Sequence, residues 1–165
     1  MTPAPGHVLL GALRMQSADA GYATGWQPQP ALWKRSSPPP AIVLQYDGTT
    51  WNPVQTGADP AAQEVVLFDQ TDAWAFVKTQ PEPLAPPLPN DVISSVQHTA
   101  STIDLPWQTV DWPFTDIISI HSVVRAVPGE YWAAAHYQVP PGAEGDFHGE
   151  LLHFADGAWR EYPSR

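Results

Sequence analysis

Histidines and acidic residues are the side chains of this sequence that could bind a metal or move a proton. His136, His148 and His153 lie near Asp146 and Glu150, and imidazole with carboxylate can hold a divalent ion. The spacing matches no dedicated ligand motif. Ordinary histidines on the surface of a strand explain the same pattern, so we predict no metal and no cofactor.

Arrangements typical of hydrolytic or phosphate-binding enzymes are missing from the sequence. It has no Gly-x-Ser-x-Gly elbow, no P-loop and no His-Glu-x-x-His helix. It also has no cysteine, which excludes disulfides, thiolate zinc sites and cysteine nucleophiles. We therefore predict a protein that is not an enzyme and has no catalytic residues.

The charge of the chain limits its partners. With 17 Asp and Glu against 7 Lys and Arg, the formal net charge is -10, which repels nucleic-acid phosphates and anionic lipid. No apolar run approaches the ~18 residues of a membrane span, and no basic region of a signal peptide precedes the first apolar residues. We expect neither nucleic-acid binding nor a membrane span.

The composition favours short strands. Hydrophobic residues make up 43% of the chain, with 8 Trp, 5 Tyr and 5 Phe, so a folded core is expected. The 20 prolines leave little room for helices, because proline removes a helical hydrogen bond and clashes with the preceding turn. The chain is predicted to be all-β.

A pattern of four strand-length runs occurs three times. Each copy has a long proline-rich loop between its second and third runs. The copies occupy residues 8–57, 58–111 and 112–165, and their runs are 12–17, 21–26, 42–46, 51–54; 65–69, 73–77, 92–96, 107–110; and 117–121, 131–135, 151–154, 156–159.

Aromatic residues mark the same period. The tryptophans that close the copies, Trp51, Trp107 and Trp159, are 56 and 52 residues apart. The aromatic residues of the second runs, Tyr22, Trp74 and Trp132, are 52 and 58 apart. Four strands per repeat of about 50 residues are typical of propeller blades, whose sheets pack on neighbouring sheets. We expect the closing tryptophans to be packed between sheets.

Two local signals concern turns and helix starts. Asp47-Gly48 and Asp156-Gly157 are predicted to form type I′ hairpin turns, which need positive φ at both central residues. Residues 59–64 could instead begin a helix, with Asp59 as N-cap and Pro60 at the first position. The repeat register favours a strand at Val65, and we adopt it.

The segments GYATGW and IVLQYDGTTW, with YWAAAH and LLHFADGAW, resemble the repeats of bacterial propeller proteins of the Asp-box type, which include sialidase-like enzymes and photosystem assembly factors. The resemblance implies three four-stranded antiparallel blades and an extracytoplasmic or cell-surface location. Sialidases need several converging arginines, whereas the five arginines here are scattered through the repeat. The resemblance therefore favours a binding module over a hydrolase.

The long loops are the predicted binding face. Residues 27–40, 78–91 and 138–149 all follow a second strand, so they should emerge together, although they could also be simple surface insertions. The contact-prone side chains are Trp33, Lys34 and Arg35 in the first loop, Phe147 and His148 in the third, and Trp112 and Phe114 in a connection.

Three blades are fewer than the 4 to 8 of closed propellers. We therefore expect the ring to be partial, or completed by oligomerisation, with a six-bladed head-to-tail dimer favoured. The predicted function is a module for protein association or self-assembly. A carbohydrate-binding module and a degenerate sialidase-like hydrolase are the alternatives.

Overall fold

The chain is all-β, with three four-stranded antiparallel sheets whose strands follow one another in sequence order. A computed structural model describes residues 9–26, 41–59, 62–79, 92–138 and 147–162. No helix occurs in these segments, and none that is long and apolar enough to cross a membrane was found there. The predicted fold class is confirmed.

Each sheet takes four consecutive strands. The first contains β1 (Leu9–Met15), β2 (Gly21–Trp26), β3 (Ala41–Tyr46) and β4 (Trp51–Val54); the second β5 (Ala62–Asp69), β6 (Asp72–Thr79), β7 (Val92–Thr99) and β8 (Gln108–Val110); the third β9 (Ile117–Val127), β10 (Glu130–Gln138), β11 (Phe147–Ala155) and β12 (Ala158–Tyr162). Because β5 starts at Ala62, the strand prediction for this segment is correct and the helical alternative is wrong.

By internal contacts the described residues form two compact units. One runs to Val77 and adds Gln97–Gln108, and the other holds Lys78–Val96 and the chain from Thr109 onward. In the first unit, Tyr22 and Val43 are buried in one apolar cluster with Val65 and Leu67 of β5. One side of the first sheet therefore faces the core, as expected when alternate strand residues point the same way.

A close backbone approach fastens the end of the first sheet to the loop before β8. The Gly57 amide donates to the Ile103 carbonyl at 2.6 Å, and the Trp107 amide donates to the Gly57 carbonyl at 3.2 Å. The Trp107 indole also donates to the Ile103 carbonyl at 2.9 Å. A Cβ at position 57 would overlap the Leu105 carbonyl, so only glycine fits.

In the other unit, the third sheet buries the side that carries Tyr131, Ala133, Leu152, Phe154 and Trp159. The Phe154 and Trp159 rings are paired across β11 and β12 with centroids 5.4 Å apart. This side is the core of the third sheet.

The two Asp-Gly turns differ. Asp156 and Gly157 have φ of 54° and 79° and connect the paired Ala155 and Ala158 directly, so the type I′ prediction is correct there. At Asp47-Gly48 the prediction is wrong, because only Gly48 has positive φ. There the loop has four residues between the paired Tyr46 and Trp51.

The difference in loop length places Trp51 on the face of its sheet opposite to the one that Trp159 occupies in the third sheet. Trp159 is the second residue after its turn and is buried, whereas Trp51 is the first after its turn and is 38% exposed. A shift of one residue moves a strand side chain to the opposite face. Trp107 and Trp159 are buried as expected, but the expectation is wrong for Trp51.

Candidate functional site

On the side of the first sheet opposite the core, the paired residues are glycine, apolar residues and Tyr46. The paired strands align Leu13 with Ala23, Leu44 and Pro53, and Met15 with Gly21, Tyr46 and Trp51. A third row aligns Leu10 with Gly25 and Ile42. We call this side the outer face of the first sheet.

Four large side chains of this outer face are exposed to solvent. The exposed fraction is 58% for Leu10, 57% for Leu13, 48% for Met15 and 38% for Trp51. Soluble monomers rarely expose contiguous apolar surface of this kind, and such patches mark interaction sites.

The middle of this face is low because β2 contributes Gly21, Ala23 and Gly25. All three are buried beneath their larger neighbours. Met15 lies across Gly21 so closely that a Cβ there would be 2.6 Å from the Met15 sulfur. The Tyr46 and Trp51 rings pack together at 5.1 Å beside this floor. Larger apolar side chains therefore cover the small residues of β2, and the face is an apolar surface.

The third sheet carries an aromatic cluster on the side away from its core. The Trp132 ring stacks on His153 with centroids 4.1 Å apart and planes 17° apart, and it meets the Tyr162 ring edge-on at 5.0 Å. His153 Nε2 lies 2.9 Å from Glu130 Oε1. Exposed Val124 is paired with Trp132. We call this side the outer face of the third sheet.

The second sheet repeats the same triad of carboxylate, tryptophan and histidine. His98 Nε2 is 3.0 Å from Asp72 Oδ1, and the Trp74 ring stacks on His98 at 4.2 Å and 24°. In both triads the carboxylate is the first residue of the second strand and the tryptophan stands two residues later. The hydrogen bond orients the imidazole, so the aromatic faces stay stacked.

These triads were not predicted, although an acidic residue, a spacer and a tryptophan begin β6 and β10 alike. In the first sheet the matching residues are Gly21, Ala23 and Leu44, judged by cross-strand pairing. The first sheet thus has a small residue where the other two have a tryptophan. That replacement lets Met15 lie across Gly21 on the outer face.

Three acidic residues of the third sheet influence one another: Glu150 in β11, Glu161 in β12 and Asp116 just before β9. Burial raises the pKa of the Glu150 carboxyl, and the negative charges of Glu161 and Asp116 raise it further. Within the described segments, no group of three or more His, Cys, Asp or Glu side chains could hold a metal. His136 and His153 do not share a site, since His153 bonds to Glu130 and His136 lies against His121.

The predicted loop residues have different outcomes. Trp33, Lys34 and Arg35 lie outside the described residues. Phe147 and His148 were predicted in a loop, which is wrong, because they pair with β10 as the first residues of strand β11. The third loop is shorter than its polar sequence indicated.

Trp112 and Phe114 do lie in a connection, before β9, but both are half-buried. The Trp112 indole donates to the Ile93 carbonyl at 3.1 Å. Its ring meets Phe114 at 4.9 Å and Trp159 at 6.1 Å, both edge-on. Trp112 therefore anchors the connection to the core and is not a freely presented contact residue.

An open cleft of about 520 Å³ lies where β3 begins, beside Val54 and the start of β5. Its lining is mainly apolar, with Gln55, Thr56 and Asp59 as polar members. The cleft is at the end of the first sheet from which the loop between β2 and β3 departs.

Comparisons of the chain with family models, with curated proteins and with solved structures found no match.

Proposed function

We propose that this protein is a non-catalytic association module, and that a second copy of the chain covers the outer face of its first sheet. The observation that carries the proposal is the uncharged, exposed row of Leu10, Leu13, Met15 and Trp51. Fully burying one such side chain is worth about 1.5–3 kcal/mol. Burying the exposed parts of four of them therefore contributes several kcal/mol toward association.

Charge favours this face as the point of approach between two copies. Each chain has a formal charge of -10, so two copies repel one another over most of their surface. The outer face of the first sheet contributes no charged side chain among its paired residues. Two acidic chains meet there with the least electrostatic cost.

The outer face of the third sheet of the second copy is the proposed occupant. Its Trp132 and Tyr162 form an aromatic ridge, and Leu151 and Val124 extend the apolar area beside it. These side chains would pack against the exposed Leu10, Leu13 and Met15 of the first sheet. Head-to-tail contact repeated twice would close a dimer of six four-stranded sheets, within the usual propeller range of about 4–8.

Sedimentation equilibrium at micromolar concentration tests the proposal. The wild-type protein should have twice the monomer mass of 18.0 kDa, and Leu13→Glu should be monomeric because it places a charge on this apolar face. Leu105→Glu is the matched control, since Leu105 is 52% exposed but lies outside this face. A folded wild-type monomer, or equal masses for the two variants, would contradict the proposal.

A carbohydrate-binding module is the second candidate. It is favoured by the Trp132, His153 and Tyr162 cluster, since aromatic faces beside polar groups suit sugar rings. Glycan binding that leaves the sedimentation mass at 18.0 kDa and is lost in Trp132→Ala would select this candidate. Trp33, Lys34 and Arg35 stay a prediction for further partner contacts.

A further inference from the structure

Two histidines on the third sheet point their nitrogens at one another. His121 Nε2 and His136 Nδ1 are 2.8 Å apart, and their ring centroids are 4.0 Å apart with planes at 66°. The Ser119 hydroxyl lies 3.3 Å from the same His121 nitrogen. His121 is exposed and His136 is half-buried, so solvent reaches the pair.

A bulge in β9 makes this arrangement. Ser122 pairs with Ala134 and Ile120 pairs with Ala135, which leaves His121 as an extra residue between two consecutive partners. Such a residue leaves the regular alternation, and bulges commonly redirect a side chain next to a functional site. Ile120 is buried beside Ala135, whereas His121 is exposed on the opposite side of the strand. The bulge places the consecutive residues His121 and Ser122 on the same side, which is the side that carries His136.

The distance between the two nitrogens fits a particular class of metal ion. Imidazole nitrogens bind divalent ions at about 2.0 Å, so two ligands at a right angle are separated by about 2.8 Å and two tetrahedral ligands by about 3.3 Å. The observed separation is 2.8 Å. Right-angled sites with nitrogen and oxygen ligands are typical of Cu(II) and Ni(II), and copper has the highest affinity of the series.

We propose that His121 and His136 form a surface chelate for Cu²⁺, with water in the remaining positions. Binding requires both facing nitrogens to be unprotonated, so the metal replaces the proton that one ring otherwise donates to the other. The net charge of -10 attracts the cation. The ion would link β9 to β10 and hold the bulge in one conformation.

Titration with Cu²⁺ alone, followed by calorimetry and electron paramagnetic resonance, tests this site. The wild-type protein should bind one ion with a nitrogen-ligated signal, and Ni²⁺ and Zn²⁺ should bind more weakly. His121→Gln and His136→Gln should each weaken binding at least about tenfold, because one remaining ligand loses the chelate advantage.

His153→Gln is the matched control, because His153 is on the same sheet but bonds to Glu130. It should leave the Cu²⁺ affinity unchanged. Circular dichroism of each variant verifies that the sheets are intact. The proposal is overturned if the wild-type protein does not bind Cu²⁺, or if both glutamine variants bind it as tightly as wild type, which would assign the ion to other groups of the chain.

Discussion

Replacing either of two tryptophans from the same repeat position should have very different effects on stability. Trp159→Ala removes a ring that is 2% exposed and packs against Phe154 and Trp112, whereas Trp51→Ala removes a ring that is 38% exposed and packs on Tyr46. The sequence makes the two look equivalent. Only the face on which each ring lies distinguishes them.

The burial of each ring determines how much the two substitutions differ in their effect on the free energy of unfolding. Truncating a buried tryptophan costs about 3–5 kcal/mol, because the lost burial is joined by a cavity. Trp51→Ala loses an aromatic pair worth about 0.5–1.5 kcal/mol beyond area burial, and it also loses the burial of the covered part of the ring. The free energy of unfolding should therefore fall about 1–3 kcal/mol further in Trp159→Ala than in Trp51→Ala, because only Trp159→Ala leaves an enclosed cavity. At about 2–4 °C per kcal/mol for a chain of this size, its midpoint should lie roughly 2–12 °C lower.

Urea unfolding followed by far-ultraviolet circular dichroism measures these free energies without relying on tryptophan fluorescence. The protein concentration should be low enough to keep the chain monomeric, since Trp51 also lies on the proposed contact face. A repeat at tenfold higher concentration separates any contribution of association. If Trp51→Ala costs as much as Trp159→Ala in the monomer, the assignment of the two rings to opposite faces is incorrect.

Three further changes have defined outcomes. Hydrogen bonds from the Thr50 and Thr49 amides and hydroxyls hold the pKa of the Asp47 carboxyl well below its ordinary 3.8. The ionised carboxylate therefore stabilises the fold fully above that pH, and this stabilisation is lost as the pH falls. The difference in thermal midpoint between wild type and Asp47→Ala should be constant from about pH 7 to 5 and shrink below about pH 4. Gly57→Ala should destabilise the fold by several kcal/mol because its Cβ meets backbone, whereas Gly149→Ala, with open space around it, should change the unfolding free energy by less than about 0.5 kcal/mol; equal effects in urea unfolding would contradict this. Asp72→Asn should cost about 1–3 kcal/mol through the weakened second-sheet triad, and an unchanged urea midpoint would mean that the triad contributes nothing to stability.

Much of the fold could be predicted from the sequence, because strand-length apolar runs bounded by turn residues are local signals. All twelve strands that the structure describes overlap an assigned run, although β5, β6, β7, β9, β10 and β11 are longer than predicted. The orientation of Trp51 could not be predicted, since it depends on whether a turn has two or four residues. The same Asp-Gly letters produce both turns here.

The residues of each candidate site come from separate strands, so no local sequence pattern predicts that they lie together. The acidic residue and tryptophan that begin β6 and β10 were visible as a repeat, but their histidines come from the next strand. The contact between His121 and His136 requires a bulge in β9, and no residue type in that strand predicts a bulge. The outer face of the first sheet has small residues along β2, and their position on that face can be recognised only when the strand register is known.

Identical strand order in sequence and in sheet has a consequence for biosynthesis. Every described hairpin joins strands that are neighbours in the chain, so each sheet can form as soon as its fourth strand leaves the ribosome, without waiting for a distant segment. Synthesis and assembly then run in the same direction. The four strands of the first sheet are translated before those of the other two sheets, and its outer face carries exposed apolar side chains. Nascent chains on one messenger bring copies of this face close together, where the proposed pairing between copies would begin during translation.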